Sequence, residues 1–345
     1  MPGASAPAKS ALQSLLTQLD EIEHGPGGGV ITFPGGRLEV SNLGKIFWPG
    51  ASKRTRAPHG VLTKGDLFRH YVRVAPTILP VLADRPLVMK RYPNGIAGAP
   101  FYQHRAPDKV PAGVRIDRVT TGSETRPHLI GGSLTTLLYT AQLGSISQDP
   151  WFSRVQSAGE IDHIAIDLDP PEDLPFARVL DVARWVRDAL AALKAPGFAK
   201  TSGAGGLHVY VPMPPGTSYD SGFLFAQIVA TTVAERHPKE ATIERSIKAR
   251  GRRIYVDYMQ NVLGKTLASA YSARASEFAG VSTPITWEEV EEGVSPRDFT
   301  VANFDQRIKE AGDPWRGLTT TKGPELKALL TTKARSARGT RSSRS

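Results

Sequence analysis

The stretch HIAIDLDPPED, residues 163–173, constrains the fold of this chain more than any other. An apolar run ends in two aspartates two residues apart, Asp167 and Asp169, and two prolines then stop it. Side chains i and i+2 of a strand project from the same face, so two such carboxylates repel each other unless a cation or a shared proton relieves them. The stretch is therefore either a strand end open to water or half of a metal site.

The pattern on both sides of this strand predicts a mixed fold. A hairpin is expected to turn at Pro34-Gly35-Gly36, and Thr63 is a suitable N-cap for a helix. Apolar residues three and four positions apart predict a helix from about 174 to 194. A strand is expected around 267–274. Because helices interleave with strands and hairpins, we predict an α+β fold.

Net charge and cysteine content limit the partners and the compartment. The formal charge of +10 and the pI near 9.8 favour a polyanionic partner, nucleic acid first, although many basic proteins bind none. The absence of cysteine excludes disulfides and thiolate zinc sites and permits a reducing compartment. No apolar run approaches the ~18–20 residues of a membrane span, so we expect no membrane contact and a cytoplasmic location.

A glycine loop in TSGAGGLHVYVP, residues 201–212, is a second candidate for chemistry. The small residues at 203–206 would let backbone N–H groups approach a phosphate closely. Ser202 offers a hydroxyl, and His208 lies on the opposite strand face from its apolar neighbours. The alternative interpretation is a glycine-rich hairpin that carries a surface histidine.

A third candidate is Asp257 in RRIYVDYMQN, a carboxylate among apolar residues that is costly to bury without a partner. A salt bridge to a nearby arginine would satisfy it. The alternative is a third metal ligand beside Asp167 and Asp169, as two-metal phosphoryl-transfer sites require. Cations that suit either a triphosphate or a solvated face lie near it in the sequence: Lys248, Arg250, Arg252, Arg253 and Arg274.

In order and spacing, these three elements resemble the archaeo-eukaryotic primase superfamily. The closer resemblance is to the polymerase domain of bacterial ligase D and its stand-alone primase-polymerase relatives, and it covers about residues 37–320. It is carried by NLGKIFWP, LTKGDLFRHYVRVAPTILPVLADRPLVMKRYPNG, APFYQHRAP, IAIDLDPP, TSGAGGLHVYVP, RRIYVDYMQN and AYSARA…STPITWEEV. The resemblance implies an RRM-like palm sheet plus a second sheet, flanked by helices.

The resemblance also implies domain limits. Residues 1–29 would be a helical, flexible leader, and residues 30–330 the primase-polymerase catalytic domain. Residues 331–345, which are basic and have almost nothing to bury, would be a disordered tail.

The resemblance further implies roles for individual residues. The two metal ions would be held by Asp167, Asp169 and Asp257. The nucleotide would be bound by Ser202, Gly206, His208, Arg250, Gln260 and Arg274. DNA would be contacted by the stacking pair Phe101 and Tyr102 and by Lys45 and Lys64 at the 5′-phosphate. We add Lys53, Arg54 and Arg56 of the basic loop at 51–61 as further DNA contacts.

The activity implied is that of a DNA-dependent primase-polymerase, a nucleotidyltransferase that adds NTPs or dNTPs to a primer 3′-hydroxyl with two Mn²⁺ or Mg²⁺ ions. Its substrates would be gapped, nicked or broken duplexes with a 5′-phosphate, filled during non-homologous end joining. A monomer at the bacterial nucleoid is expected, with a DNA ligase and end-binding repair proteins as partners.

Three departures from the family pattern favour a stand-alone relative, and the lack of an adenylation lysine motif leads us to expect polymerisation without sealing. Gly205 stands where the family usually has lysine, SQD at 147–149 replaces E-x-H, and the loop at 51–61 is longer. Two alternatives remain: a DxD metal-dependent glycosyltransferase, and a catalytically inactive DNA-end-binding module.

Overall fold

The computed structural model describes residues 7–50 and 59–326 of the 345-residue chain. The helices in these ranges are α1 (Lys9–His24), α2 (Lys64–Leu82), α3 (Leu134–Gln142), α4 (Phe176–Ala192), α5 (Tyr219–Arg236), α6 (Ile247–Arg250), α7 (Trp287–Glu292) and α8 (Phe304–Ala311). The strands are β1 (Gly28–Phe33), β2 (Gly36–Ser41), β3 (Ile46–Trp48), β4 (Leu62–Thr63), β5 (Pro86–Arg91), β6 (Phe101–Gln103), β7 (Ile116–Thr121), β8 (Glu124–Ile130), β9 (Asp149–Pro150), β10 (His163–Asp169), β11 (Phe198–Thr201), β12 (Leu207–Pro212), β13 (Ala241–Thr242), β14 (Ile254–Asp257) and β15 (Pro284–Ile285). None of these helices is long and apolar enough to cross a bilayer.

Six of the strands form a sheet in the order β13-β14-β10-β12-β11-β15, here called the palm sheet. Its pairs are antiparallel except for β13 with β14. The strand predicted at residues 163–169 is β10, and it lies between β12 and β14. The Asp167–Asp169 pair is therefore on an internal strand of the sheet.

Strand alternation gives the palm sheet two different faces. Ile164, Ile166 and Leu168 on β10 are fully buried, and a Cβ added at Gly222 of α5 would touch the Ile164 side chain. This face therefore packs under α5, and α4 contacts β10 and β12. The other face carries the residues between them, including Asp167, and it faces away from α5.

A second sheet has the order β6-β5-β8-β7, with β9 paired to β5. An ion-pair cluster joins it to the start of β10. The guanidinium of Arg85, 2% exposed, donates from one nitrogen to both carboxylate oxygens of Asp162 at 2.6 and 2.7 Å. Arg154 Nε donates to the same carboxylate at 2.9 Å. Charged groups thus fix the two sheets together at the end of β10 remote from the aspartate pair.

Most of the local predictions are confirmed. The hairpin β1–β2 turns at residues 34–35, α4 lies within the range predicted for it, and Thr63 caps α2 in a capping box with Asp66. The strand expected around 267–274 is wrong. Tyr271 has φ +67°, which interrupts an extended backbone, and the segment makes only isolated bridges.

Helix α1 belongs to the same hydrophobic core as the rest of the fold. Its residues Leu12, Leu15 and Leu19 are buried, and the helix contacts β1 and α2. Its apolar residues at positions i, i+3 and i+7 form the stripe by which a surface helix packs. The residues of the predicted basic tail lie outside the described ranges.

Candidate active site

The three candidate metal ligands converge at one end of the palm sheet. In the antiparallel register of β10 with β14, Asp167 lies opposite Asp257, and Asp169 lies opposite Tyr255. One carboxylate oxygen from each of Asp167, Asp169 and Asp257 lies within 4.8 Å of the others. Asp167 and Asp257 are 7% and 5% exposed, whereas Asp169 is open to solvent. The strand register therefore joins residues that are almost ninety positions apart.

This cluster is electrostatically unfavourable without a cation. Burial, reinforced by the charge of Asp257, raises the pKa of Asp167 to about 7. Asp169 is exposed as a residue, but its carboxyl group is partly desolvated beside the other two; this desolvation and then the charges of Asp167 and Asp257 raise its pKa to about 7. Among the described residues, the cationic group within 4 Å of these carboxylates is that of His208, and only when it is protonated. Hard, closely spaced oxygens without a lysine or arginine partner fit divalent ions such as Mg²⁺ or Mn²⁺.

The third carboxylate is held by three donors from its own segment. Asp257 Oδ1 accepts a hydrogen bond from the Met259 backbone N–H at 2.6 Å and from the Tyr255 hydroxyl at 3.2 Å. Asp257 Oδ2 accepts one from Gln260 Nε2 at 3.0 Å. Gln260, predicted to contact the nucleotide, thus reaches the metal-ligand group itself.

The glycine loop between β11 and β12 closes against the same strand end. Ser202 Oγ accepts from the backbone N–H groups of Ala204 and Gly206, both at 3.1 Å. A Cβ at Gly206 would lie 2.5 Å from the backbone oxygen of Leu168, so only glycine fits there. Arg274 Nη1 donates to the Ser202 backbone oxygen at 2.5 Å. The loop is thus built by its own hydroxyl and anchored by an arginine.

His208 connects this loop to the aspartates. It lies opposite Asp167 in the β10–β12 register, and its Nε2 is 3.3 Å from Asp167 Oδ1. Its Nδ1 is buried and makes no hydrogen bond to the described residues. A buried ring nitrogen without a partner is costly in a folded protein, and a ligand oxygen would satisfy it by accepting a hydrogen bond when the proton is on Nδ1. The alternative interpretation, a hairpin that carries a surface histidine, is therefore wrong, since His208 is 3% exposed.

Arg250 is held near the aspartates but does not contact them. Its guanidinium carbon lies 3.7 Å from the centre of the Tyr255 ring. Its nitrogens donate to the backbone oxygens of Glu244 and Arg245. Its charge still lowers the pKa of Asp169, against the larger effects of burial and the other two carboxylates.

The aromatic pair predicted to stack on bases lies on β6, an edge strand of the second sheet. Phe101 and Tyr102 are 46% and 64% exposed, which is unusual for large apolar rings. Lys90 Nζ lies 5.4 Å from the centre of the Tyr102 ring, and Arg91 lies 5.1 Å from that of Phe101. Exposed rings flanked by cations suit single-stranded nucleic acid.

The two lysines predicted at the 5′-phosphate form a cationic cluster with Arg91. Lys64 is 5% exposed, and its Nζ donates to the backbone oxygen of Ser41 and to Gln142 Oε1. Burial, then the charges of Lys45 and Arg91, lower the pKa of Lys64 to about 8. A buried lysine whose charge is opposed by two cations favours an anion beside it. The other predicted cations, Lys53, Arg54 and Arg56, lie outside the described residues.

Two charged residues beside the site were not among the candidates. Lys200 is fully buried, lies opposite His208 in the β11–β12 register, and donates a hydrogen bond to Ser282 Oγ. Burial and then the charge of Arg274 lower the pKa of Lys200 well below its usual range. Asp149 accepts a hydrogen bond from Ser147 Oγ at 2.6 Å, and burial raises its pKa. The alternation of β11 places Lys200 on the same face as Ser202, a signal available in the sequence.

The structure is that of an α+β protein whose palm sheet brings three carboxylates together beside a glycine loop. This arrangement defines a candidate metal-ion site. The comparisons define the family more closely. The chain belongs to the LigD primase-polymerase domain family, whose model matches residues 63–315. The predicted resemblance and the mixed fold are thereby confirmed.

Individual relatives agree with this assignment. The chain is 29% identical over 280 residues to the bifunctional non-homologous end joining protein LigD of Bacillus subtilis, covering 81% of this chain and 44% of that protein. It is 32% identical over 256 residues to the multifunctional LigD of Pseudomonas aeruginosa, covering 73% of this chain and 30% of that protein. The chain thus spans less than half the length of these relatives.

A solved structure gives the same result. The polymerase domain of Mycobacterium tuberculosis ligase D, in complex with DNA, superposes with a TM-score of 0.74 at 28% identity. The match covers 84% of this chain and 99% of that one.

Proposed function

We propose that this protein is a primase-polymerase of DNA repair, which adds NTPs or dNTPs to a primer 3′-hydroxyl at short gaps or double-strand break ends during non-homologous end joining. The observation that carries the proposal is the convergence of Asp167, Asp169 and Asp257 at one end of the palm sheet, with no lysine or arginine within 4 Å of them in the described part of the chain. Family membership supports nucleotidyl transfer over the glycosyltransferase alternative.

The aspartates would hold two Mn²⁺ or Mg²⁺ ions. When bound, such ions lower the pKa of the attacking hydroxyl and stabilise charge on the triphosphate. Each oxygen that binds an ion relieves the repulsion that raises the pKa values of Asp167 and Asp169. The protein's own contribution is to hold these oxygens in place before the substrates arrive, as the donors to Asp257 do.

The glycine loop would bind the triphosphate. His208 Nδ1 has no partner among the described residues, and the Ser202 hydroxyl proton is free to donate while its oxygen organises the loop. Arg274 would supply the positive charge next to the loop, where it already contacts the Ser202 backbone oxygen. Arg250 and Gln260 line the aspartate side and would contact the nucleotide from there.

DNA would bind along the second sheet and the lysine cluster. Phe101 and Tyr102 would stack on template bases, which is a sequence-tolerant contact. Lys45 and Lys64 would bind the 5′-phosphate at the far side of a gap, and Lys53, Arg54 and Arg56 would add backbone contacts. We further propose a cytoplasmic monomer that works with a DNA ligase and end-binding proteins.

Primer extension on gapped DNA with Mn²⁺ tests the proposal. Wild type is expected to extend the primer. The Asp169→Asn variant is expected to bind the DNA as wild type does but to extend nothing. Asp173→Asn, which changes an exposed carboxylate paired with Arg252, is the matched control and should extend normally. Equal activity of wild type and Asp169→Asn would reject the polymerase assignment. DNA binding by a wild-type protein that extends nothing would support the inactive end-binding module.

A further inference from the structure

Tyr255 lies within the aspartate cluster although it is not itself a candidate ligand. It precedes Asp257 by two residues on β14, so both side chains lie on the same face, and it pairs across the sheet with Asp169. It is 4% exposed. A tyrosine at this position adds one hydroxyl to a cluster otherwise made of carboxylates.

The hydroxyl changes which oxygen of Asp257 is free. A carboxylate oxygen has two lone-pair sites. Asp257 Oδ1 uses both, for the Met259 N–H at 2.6 Å and the Tyr255 O–H at 3.2 Å. Asp257 Oδ2 uses one, for Gln260 Nε2. One acceptor site therefore remains on Oδ2 and none on Oδ1.

Two observations fix the phenol as a donor in this position. The Arg250 guanidinium stacks at 3.7 Å from the centre of the ring, and Arg250 itself is held by the backbone oxygens of Glu244 and Arg245. The phenol oxygen lies 3.2 Å from Asp257 Oδ1, and an ionised carboxylate oxygen only accepts, so the phenol is the donor in this pair.

We propose that Tyr255 is a specificity-determining residue that makes Asp257 a single-oxygen metal ligand. By keeping Oδ1 engaged, it leaves Oδ2 alone for the ion. Ligation through one oxygen suits small octahedral ions such as Mg²⁺ and Mn²⁺, whereas Ca²⁺ takes six to eight oxygens and commonly uses both oxygens of a carboxylate. Tyr255 thus disfavours Ca²⁺. The inference rests on the proposed function, since it takes the aspartates to be a metal site.

The test is Mn²⁺ binding by the full-length protein, measured from the electron paramagnetic resonance of free Mn²⁺, with Mg²⁺ and Ca²⁺ as competitors. Tyr255→Phe removes the hydroxyl and keeps the ring under Arg250. We expect it to raise the affinity for Ca²⁺ relative to Mg²⁺ by about tenfold, the lower end of the effect typical for groups that hold metal ligands. Tyr258→Phe is the matched control, because the Tyr258 hydroxyl contacts Gln227 instead of the aspartates.

The outcomes separate the inference from the proposed function. Wild-type protein should bind Mn²⁺, and Asp257→Asn should weaken that binding. If wild type binds no Mn²⁺, or Asp257→Asn binds it as wild type does, the aspartates are not the metal site and both proposals fail. If the site binds Mn²⁺ and Tyr255→Phe has the wild-type Ca²⁺-to-Mg²⁺ ratio within twofold, only the role of Tyr255 is overturned. A simple loss of folding would lower all three affinities together, so the ratio distinguishes it.

Discussion

Replacing Asp167 by asparagine is expected to stabilise the metal-free protein while it destroys the metal site. Asp167 is 7% exposed, and its pKa is raised from the ordinary 3.8 to about 7 by burial and by the charge of Asp257. A carboxylate whose folded-state pKa is raised stabilises the fold below its unfolded pKa and loses that contribution as pH rises to the folded value. The metal-free wild type should therefore lose stability between about pH 4 and pH 7.

The magnitude follows from the shift. A rise of about three pKa units, at about 1.4 kcal/mol each, corresponds to an upper value of about 4 kcal/mol at pH 8. At pH 5 the same reasoning gives a destabilisation of less than about 2 kcal/mol from the Asp167 carboxylate. Asparagine has nearly the same shape and no charge, so it removes this penalty. At about 2 °C per kcal/mol for a chain of this size, the melting temperature should rise by about 3–8 °C at pH 8.

The assay is thermal unfolding in EDTA at pH 5 and pH 8, followed by titration with Mn²⁺. Asp167→Asn should melt above wild type at pH 8, the gap should narrow at pH 5, and only wild type should gain stability from Mn²⁺. Asp173→Asn, at an exposed site, should match wild type throughout. An Asp167→Asn protein that melts below wild type at pH 8 in EDTA would refute the view that the buried carboxylate is strained.

Four further predictions concern the substrates. Wild type should bind a gap with a 5′-phosphate more tightly than one with a 5′-hydroxyl, and Lys64→Met should lose this preference. In wild type the preference should weaken as pH rises through about 8, where Lys64 loses its charge. Fluorescence anisotropy with the two matched DNAs measures the affinities. Replacing Phe101 and Tyr102 by alanine should weaken template binding by about 1–3 kcal/mol per stacked base, and a gapped duplex bound equally well by the double variant would exclude them from the interface. Gly206→Ala should raise the KM for nucleotide at least tenfold because its Cβ would lie 2.5 Å from a backbone oxygen. Gly205→Ala should bind nucleotide normally, because its Cβ would meet only Pro170, at 3.9 Å, among the described residues. Gly205→Lys should lower that KM by adding a cation to the loop, and an unchanged KM would show that the loop does not approach the triphosphate.

Much of the site was accessible from local sequence pattern. Alternation in β10 places Asp167 and Asp169 on one face, and alternation in β12 sets His208 apart from Leu207 and Val209. The prolines after Asp169 end the strand where the chemistry begins. These features depend only on neighbours along the chain, so a period of two residues and the identity of the side chains are enough to predict them.

Features of the site that depend on the pairing of distant strands could not be predicted from local sequence pattern. The pairing that brings Asp257 opposite Asp167 is chosen by the packing of strands that are far apart in the sequence. The residues alone left Asp257 as either a salt-bridge partner or a third metal ligand, and only the family resemblance favoured the metal ligand. The same holds for Lys64, whose buried position is created by Ser41 and Gln142 from two other elements. The local pattern predicted an extended backbone at 267–274, but Tyr271 adopts a left-handed conformation that interrupts it.

The amino-acid sequence by itself determined which side chains lie at strand ends and which helices have an apolar face. It also determined a net positive charge that favours a polyanionic partner. The tertiary structure decided which of those side chains come together at one site and how each hydrogen-bonding group is used. The roles of the Tyr255 hydroxyl and of His208 Nδ1, which has no hydrogen-bond partner within residues 7–50 and 59–326, arise only after folding, because burial removes the water that would otherwise satisfy these groups.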